Sequence, residues 1–140
     1  MRAEFDETLV TGNDMIDSQH KELISRINQL LDSCEEGQGK IKAVKMLDYL
    51  LDYTEFHFEA EEKLQEEIQY PGIQEHKAKH AEFKQAVKEL QEMLEEEEGP
   101  TEAFTAQVQK NVVDWLFEHI KGFDRSVAEY KFMNANADRL

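Results

Sequence analysis

The stretch that decides the fold is His57–His80, HFEAEEKLQEEIQYPGIQEHKAKH, which carries three of the chain's five histidines in strongly acidic surroundings. Two pairs repeat at one spacing: His57 with Glu61, and His76 with His80, each at i and i+4. Residues four apart share one face of a helix. Between the pairs, Tyr70-Pro71-Gly72 is turn chemistry. The stretch therefore reads as the end of one helix, a turn and the start of the next. It raises the question of whether these side chains converge.

Outward from this turn, the apolar residues recur at helical spacing in four long segments. The first runs from about Asp17, a plausible N-cap, to Glu36, with His20, Leu23, Ile24, Ile27, Leu30, Leu31 and Cys34 on one stripe. Glycines in EEGQGK end it. The second runs from about Lys40 to Glu67 and turns Leu47, Leu50, Thr54, His57, Phe58, Glu61 and Leu64 inward. The third, about Gly72 to Glu97, carries His76, His80, Phe83, Val87, Leu90 and Leu94 on its face. The fourth, about Thr101 to Lys121, carries Phe104, Val108, Val112, Trp115, Leu116, His119 and Ile120. A short helix is expected near Arg125–Met133. Short loops between long helices favour antiparallel neighbours, so the expected fold is all-α, an up-down-up-down four-helix bundle in one domain over 1–140. The first sixteen residues read as an extended arm packed through Phe5, Leu9, Val10, Met15 and Ile16.

Composition agrees with a helical chain: six glycines and two prolines in 140 residues, and 40% apolar residues to build a core. No apolar run is long enough to span a bilayer. Sixteen basic residues against 31 acidic ones give a formal charge of −15. That repels nucleic acid and anionic membrane surfaces and attracts cations. Cys34 is the single cysteine, so no internal disulfide forms, and a reducing cytoplasm is the expected compartment.

All five histidines fall on the apolar stripes of their helices, and so does Glu61. A carboxylate on an apolar face is costly unless it is paired or bound to a cation. His119 and Asp124 are i and i+5, well apart around an ideal helix axis. They meet only if the fourth helix stops or distorts near Gly122. Imidazoles with carboxylates suit iron, zinc, copper or nickel better than calcium or magnesium, and there are too many donors for one ion. The Glu-x-x-His pairs of ferritin-like di-iron bundles are absent, since Asp17, Thr54, Ile73, Lys77 and Leu116 stand three residues before the histidines.

The pattern resembles the hemerythrin family, in particular its single-domain bacterial members. The resemblance is carried by IDSQHKEL with His20, HFEAEEKL with His57 and Glu61, YPGIQEHKAKHAEF with His76 and His80, and WLFEHIKGFD with His119 and Asp124. It implies two non-heme iron ions joined by an oxo or hydroxo bridge. His76, His80 and His119 would bind one, and His20 and His57 the other, with Glu61 and Asp124 bridging both. One position would stay free on the iron with two histidines, where dioxygen binds. Two positions depart from the common bacterial pattern: Phe5, where Trp is frequent, and Gln65, where Met is frequent. Neither is expected to touch a ligand.

The function that the resemblance implies is reversible dioxygen binding for transport, storage or local delivery, without enzymatic turnover. A dry pocket is needed to keep the bound gas reversible, and Leu23, Phe58, Trp115, Leu116 and Ile120, each within four residues of a ligand, are the candidates to line it. An oxygen or redox sensor acting through a separate partner, and a ferroxidase- or peroxidase-type enzyme, are the alternatives.

Overall fold

The computed structural model describes residues 3–35, 39–97 and 99–137. The glycine-containing link after the first helix lies largely outside these residues. The chain folds as a four-helix bundle. Helix α1 (Asp14–Glu35) packs on α2 (Gly39–Glu67), α2 on α3 (Ile73–Glu96), and both α1 and α3 on a fourth helical rod, which closes the ring. The rod comprises α4 (Glu102–Val108), a π-helical segment Gln109–Asp114, α5 (Trp115–His119), a second π-helical segment Ile120–Asp124, and α6 (Arg125–Ala137).

Local chemistry sets the ends. Thr101 caps α4 by accepting the Phe104 N–H at 3.1 Å on its hydroxyl. Asn13, not Asp17, caps α1: its side-chain oxygen accepts the Ile16 N–H at 3.0 Å, and the helix begins three residues earlier than expected. Asp17 instead ties the arm down, with Oδ1 taking the Thr11 N–H at 2.9 Å and its hydroxyl at 2.7 Å. The helix expected near Arg125–Met133 is α6, which starts at Arg125 and continues from α5 and the π segment without a break.

The main core is an apolar cluster inside the ring, including Leu23, Ile27, Leu30, Leu47, Leu50, Phe58, Phe83, Leu90, Val108, Val112, Leu116 and Ile120, and a smaller cluster joins Ile16, Leu64 and Val127. The arm is pinned along its length. Asn28 exchanges hydrogen bonds with the Ala3 backbone, donating at 2.9 Å and accepting at 2.7 Å, and the Arg125 guanidinium donates to the Thr8 and Val10 carbonyls. Leu9 and Ile16 are buried as expected, but Val10 and Met15 are largely exposed. Met15 lies in the first turn of α1 and not in the arm. No helix among the described residues is long and apolar enough to cross a membrane.

Candidate metal centre

Three helices and the fourth rod each bring side chains to one buried point. Helix α1 supplies His20, α2 supplies His57 and Glu61, α3 supplies His76 and His80, α5 supplies His119, and the second π segment supplies Asp124. None of these seven is more than 3% exposed. On regular helices the i,i+4 spacing suffices to put His57 with Glu61 and His76 with His80 on one face. His119 and Asp124 meet for a different reason. The π segment between them closes i→i+5 hydrogen bonds, which brings the fifth residue round to the same side. Asp124 Oδ1 thus lies 3.2 Å from His119 Nε2. The backbone distorts near Gly122 but does not stop, and Gly122 itself does not adopt a left-handed conformation.

The seven side chains form two overlapping donor sets: Glu61, His76, His80, His119 and Asp124 in one, and His20, His57, Glu61 and Asp124 in the other. Each carboxylate divides its oxygens between them. Glu61 Oε1 faces His57 Nε2 at 2.6 Å and His20 Nε2 at 3.6 Å, whereas its Oε2 faces His76 Nε2 at 3.2 Å and His80 Nε2 at 3.7 Å. Asp124 Oδ2 faces His20 Nε2 at 2.7 Å, and its Oδ1 faces His76 Nε2 at 2.9 Å. His76 Nε2 and His119 Nε2 are 2.9 Å apart.

These separations fit metal donors. Atoms about 2.1 Å from one first-row ion lie about 3.0 Å apart when adjacent and about 4.2 Å when opposite in an octahedron, and each set falls within 4.8 Å. Hydrogen bonding does not account for the cluster. Both oxygens of Glu61 and of Asp124, and Nε2 of His20, His57 and His80, are buried without a hydrogen-bond partner. Buried polar groups of this kind are costly, and a cation at each set would satisfy them together.

The electrostatics follow from the same geometry. Burial works against the charged form of Glu61, yet His57, His20 and His76 hold its carboxyl well below the usual range. Asp124 is likewise depressed, its burial and the repulsion of Glu61 outweighed by His119 and His20. Burial also opposes a charged His20 and a charged His76, but the two carboxylates more than offset it and raise each ring to about 9. His119 is lowered, chiefly by burial.

Three of the outer nitrogens are held too, whereas Nδ1 of His20 and of His119 have no hydrogen-bond partner. His57 Nδ1 lies 2.7 Å from Gln19 Oε1, His80 Nδ1 lies 2.9 Å from Glu62 Oε2, and His76 Nδ1 lies 2.9 Å from Gln65 Nε2. Gln65 therefore does touch a site histidine, against expectation. The signal was present in the sequence, since His57, Glu61 and Gln65 form one row at i, i+4 and i+8 on α2. Aromatic rings pack the remaining sides: Phe58 stacks on His80 at 3.7 Å and 6°, and Trp115 on His119 at 4.4 Å and 13°. Leu23, Phe58, Leu116 and Ile120 are buried in the main core cluster, and Trp115 packs against it half-buried, its indole N–H donating to Glu82.

The profile of the Hemerythrin HHE cation binding domain matches residues 11–130. The chain belongs to the hemerythrin family. Among curated hemerythrins it is 31% identical to the bacteriohemerythrin of Stenotrophomonas maltophilia over 88% of this chain and 77% of that protein. The bacteriohemerythrin of Aquifex aeolicus is also 31% identical, over 84% and 88%. Among solved structures, wild-type hemerythrin superimposes with a TM-score of 0.78 at 27% identity, covering 91% of this chain and 95% of that one. The hemerythrin match spans all seven convergent side chains, so the family's cation-binding region and the buried donor cluster coincide.

Proposed function

We propose that this hemerythrin binds dioxygen reversibly at a pair of iron ions. His76, His80 and His119 hold one ion, His20 and His57 hold the other, and Glu61 and Asp124 bridge them. When bound, the iron pair supplies the electrons that make dioxygen binding possible and reversible. The observation that carries this reading is the division of each carboxylate's oxygens between the two histidine groups. A carboxylate serving one ion has no need to face both groups.

The protein's own part is to position and to exclude water. Five imidazoles from four helical elements fix the spacing of the two ions, and Gln19 and Glu62 hold His57 and His80 by their outer nitrogens. Leu23, Phe58, Leu116 and Ile120 line the oxygen side with apolar surface, which does not hydrate the bound gas. Trp115 completes this lining at its outer edge, where it shields His119. A non-enzymatic role in carrying, storing or delivering oxygen follows, because protons reaching the bound gas would discharge it as peroxide.

Iron analysis with an optical spectrum of the reduced protein, before and after oxygen, tests the proposal. About two irons per chain are expected, with a charge-transfer colour that appears in air and disappears under vacuum. One iron per chain, or a colour that never reverses, would overturn it.

A further inference from the structure

We propose that Gln65 is a positioning residue for the three-histidine ion: its amide oxygen takes the Nδ1 proton of His76 and so fixes the tautomer that aims the Nε2 lone pair at the centre. This rests on the di-iron reading above.

Gln65 is fully buried on α2, one turn beyond Glu61 and in line with it. Its amide nitrogen Nε2 lies 2.9 Å from His76 Nδ1, and its Oε1 is buried with no hydrogen-bond partner. The two ends of an amide exchange by a half-turn of the side chain. The state of His76 decides which end must face the ring. An imidazole that gives Nε2 to a cation keeps its proton on Nδ1. A doubly protonated ring also carries a proton there. In both states Nδ1 donates, so the amide presents Oε1, which then gains the partner it otherwise lacks.

His76 is the ring for which this matters most. Its Nε2 lies within 3.2 Å of both bridging carboxylates and 2.9 Å from His119 Nε2, so a small rotation disturbs every neighbour. The other outer acceptors differ in kind. His80 has the Glu62 carboxylate, while His57 has the neutral Gln19 amide. The three-histidine ion thus has one anionic support and one neutral support, and Gln65 is the neutral one. An anionic acceptor at Gln65 would push more electron density onto His76 and favour the ferric state. An apolar residue would leave the Nδ1 proton without an acceptor.

The test uses the iron-loaded protein with two substitutions. Gln65→Met keeps the length and roughly the volume of the side chain and removes the acceptor. Gln65→Glu keeps an acceptor and adds charge. Two quantities are measured: the rate at which the reduced protein loses iron to a ferrous chelator, and the reduction potential of the centre. Gln65→Met should retain its irons as the wild type does, and its potential should rise. Gln65→Glu should retain iron as the wild type does, and its potential should fall. Space-filling alone predicts no opposed shifts, so potentials that move together, or a Gln65→Met potential that does not move, would overturn the proposal. If Gln65→Met fails to fold, an unchanged potential in Gln65→Glu is sufficient to overturn it. A wild type without an iron pair defeats the di-iron reading itself, and this proposal with it, whereas a normal wild type with unaffected variants defeats this proposal alone.

Discussion

His119 Nε2 and Asp124 Oδ1 lie 3.2 Å apart although five positions separate them, and the π-helical turn Ile120–Asp124 is what joins them. A regular α-helix would rotate the carboxylate well away from the ring. Deleting Gly122 removes the extra residue of the π turn and leaves His119 and Asp124 four positions apart, the spacing that shares one face of a regular α-helix. The expected outcome is an Asp124 still at the centre and about two irons per chain in a protein that keeps its helical circular dichroism. Gly122→Ala is the control. No heavy atom lies within 4 Å of a Cβ there and the backbone is not left-handed, so alanine should keep full iron and stabilise the helix by about 0.5–1 kcal/mol. Iron content and thermal melting of the two variants decide the matter; a deletion that loses iron would show that register alone does not bring Asp124 to the site.

The bundle and six of its convergent side chains were legible in the sequence because they obey helical periodicity. His57 with Glu61 and His76 with His80 are neighbours on any α-helix, and His20 and His119 sit on plain apolar stripes. Asp124 was legible only as a geometric demand. A π turn is a shift in backbone hydrogen-bond register, and no side-chain pattern in IKGFD announces it. The start of α1 was missed for a related reason, since Asn13 and Asp17 can both cap a helix and only the competing bonds from Thr11 to Asp17 choose between them. Gln19 and Glu62 escaped notice because they act on the outer nitrogens, and polar residues on a helix flank look like ordinary surface.

Leu23 lies one turn from His20 on α1 and is 2% exposed. If it keeps the oxygen side dry, polarity at this position should matter more than size. Leu23→Val and Leu23→Thr have nearly the same shape and differ by a hydroxyl. Both should keep their iron and lose on the order of 1 kcal/mol or somewhat more in packing. The Thr variant should oxidise faster in air than the Val variant, read from the decay of the oxygenated spectrum. Equal decay rates would remove Leu23 from the lining.

Phe58 stacks on His80 with ring centroids 3.7 Å apart and meets Phe83 edge-on at 5.7 Å. Phe58→Leu keeps apolar bulk and removes both ring contacts, each worth about 0.5–1.5 kcal/mol beyond area burial. Thermal unfolding of the iron-loaded protein should fall by several degrees. Because Phe58 offers no donor atom, the iron content should not change. An unchanged melting temperature would show that the stack contributes nothing to stability.

Proton linkage distinguishes the metal-free protein from the loaded one. In the metal-free protein His20 and His76 are held at about 9 against an ordinary value of 6.5, so between those values the folded chain binds more protons than the unfolded chain. Their contribution to stability is full below 6.5 and is lost as the pH rises through about 9. Glu61 and Asp124 are depressed, so their contribution is present above the ordinary carboxyl range and is lost as the pH falls through their folded values. His119, lowered by burial, works against the other histidines and weakens the fold below 6.5. Urea midpoints of the metal-free protein should therefore be highest in the mildly acidic range and decline toward pH 9. Iron binding has the opposite requirement, because each Nε2 must be free of its proton. Loading ferrous iron at about pH 7.5 should thus release about two protons per chain, those of His20 and His76, measurable with an indicator dye in weak buffer. A loading reaction that releases no protons would mean that the two rings were already neutral and that the carboxylates do not hold them as the geometry implies.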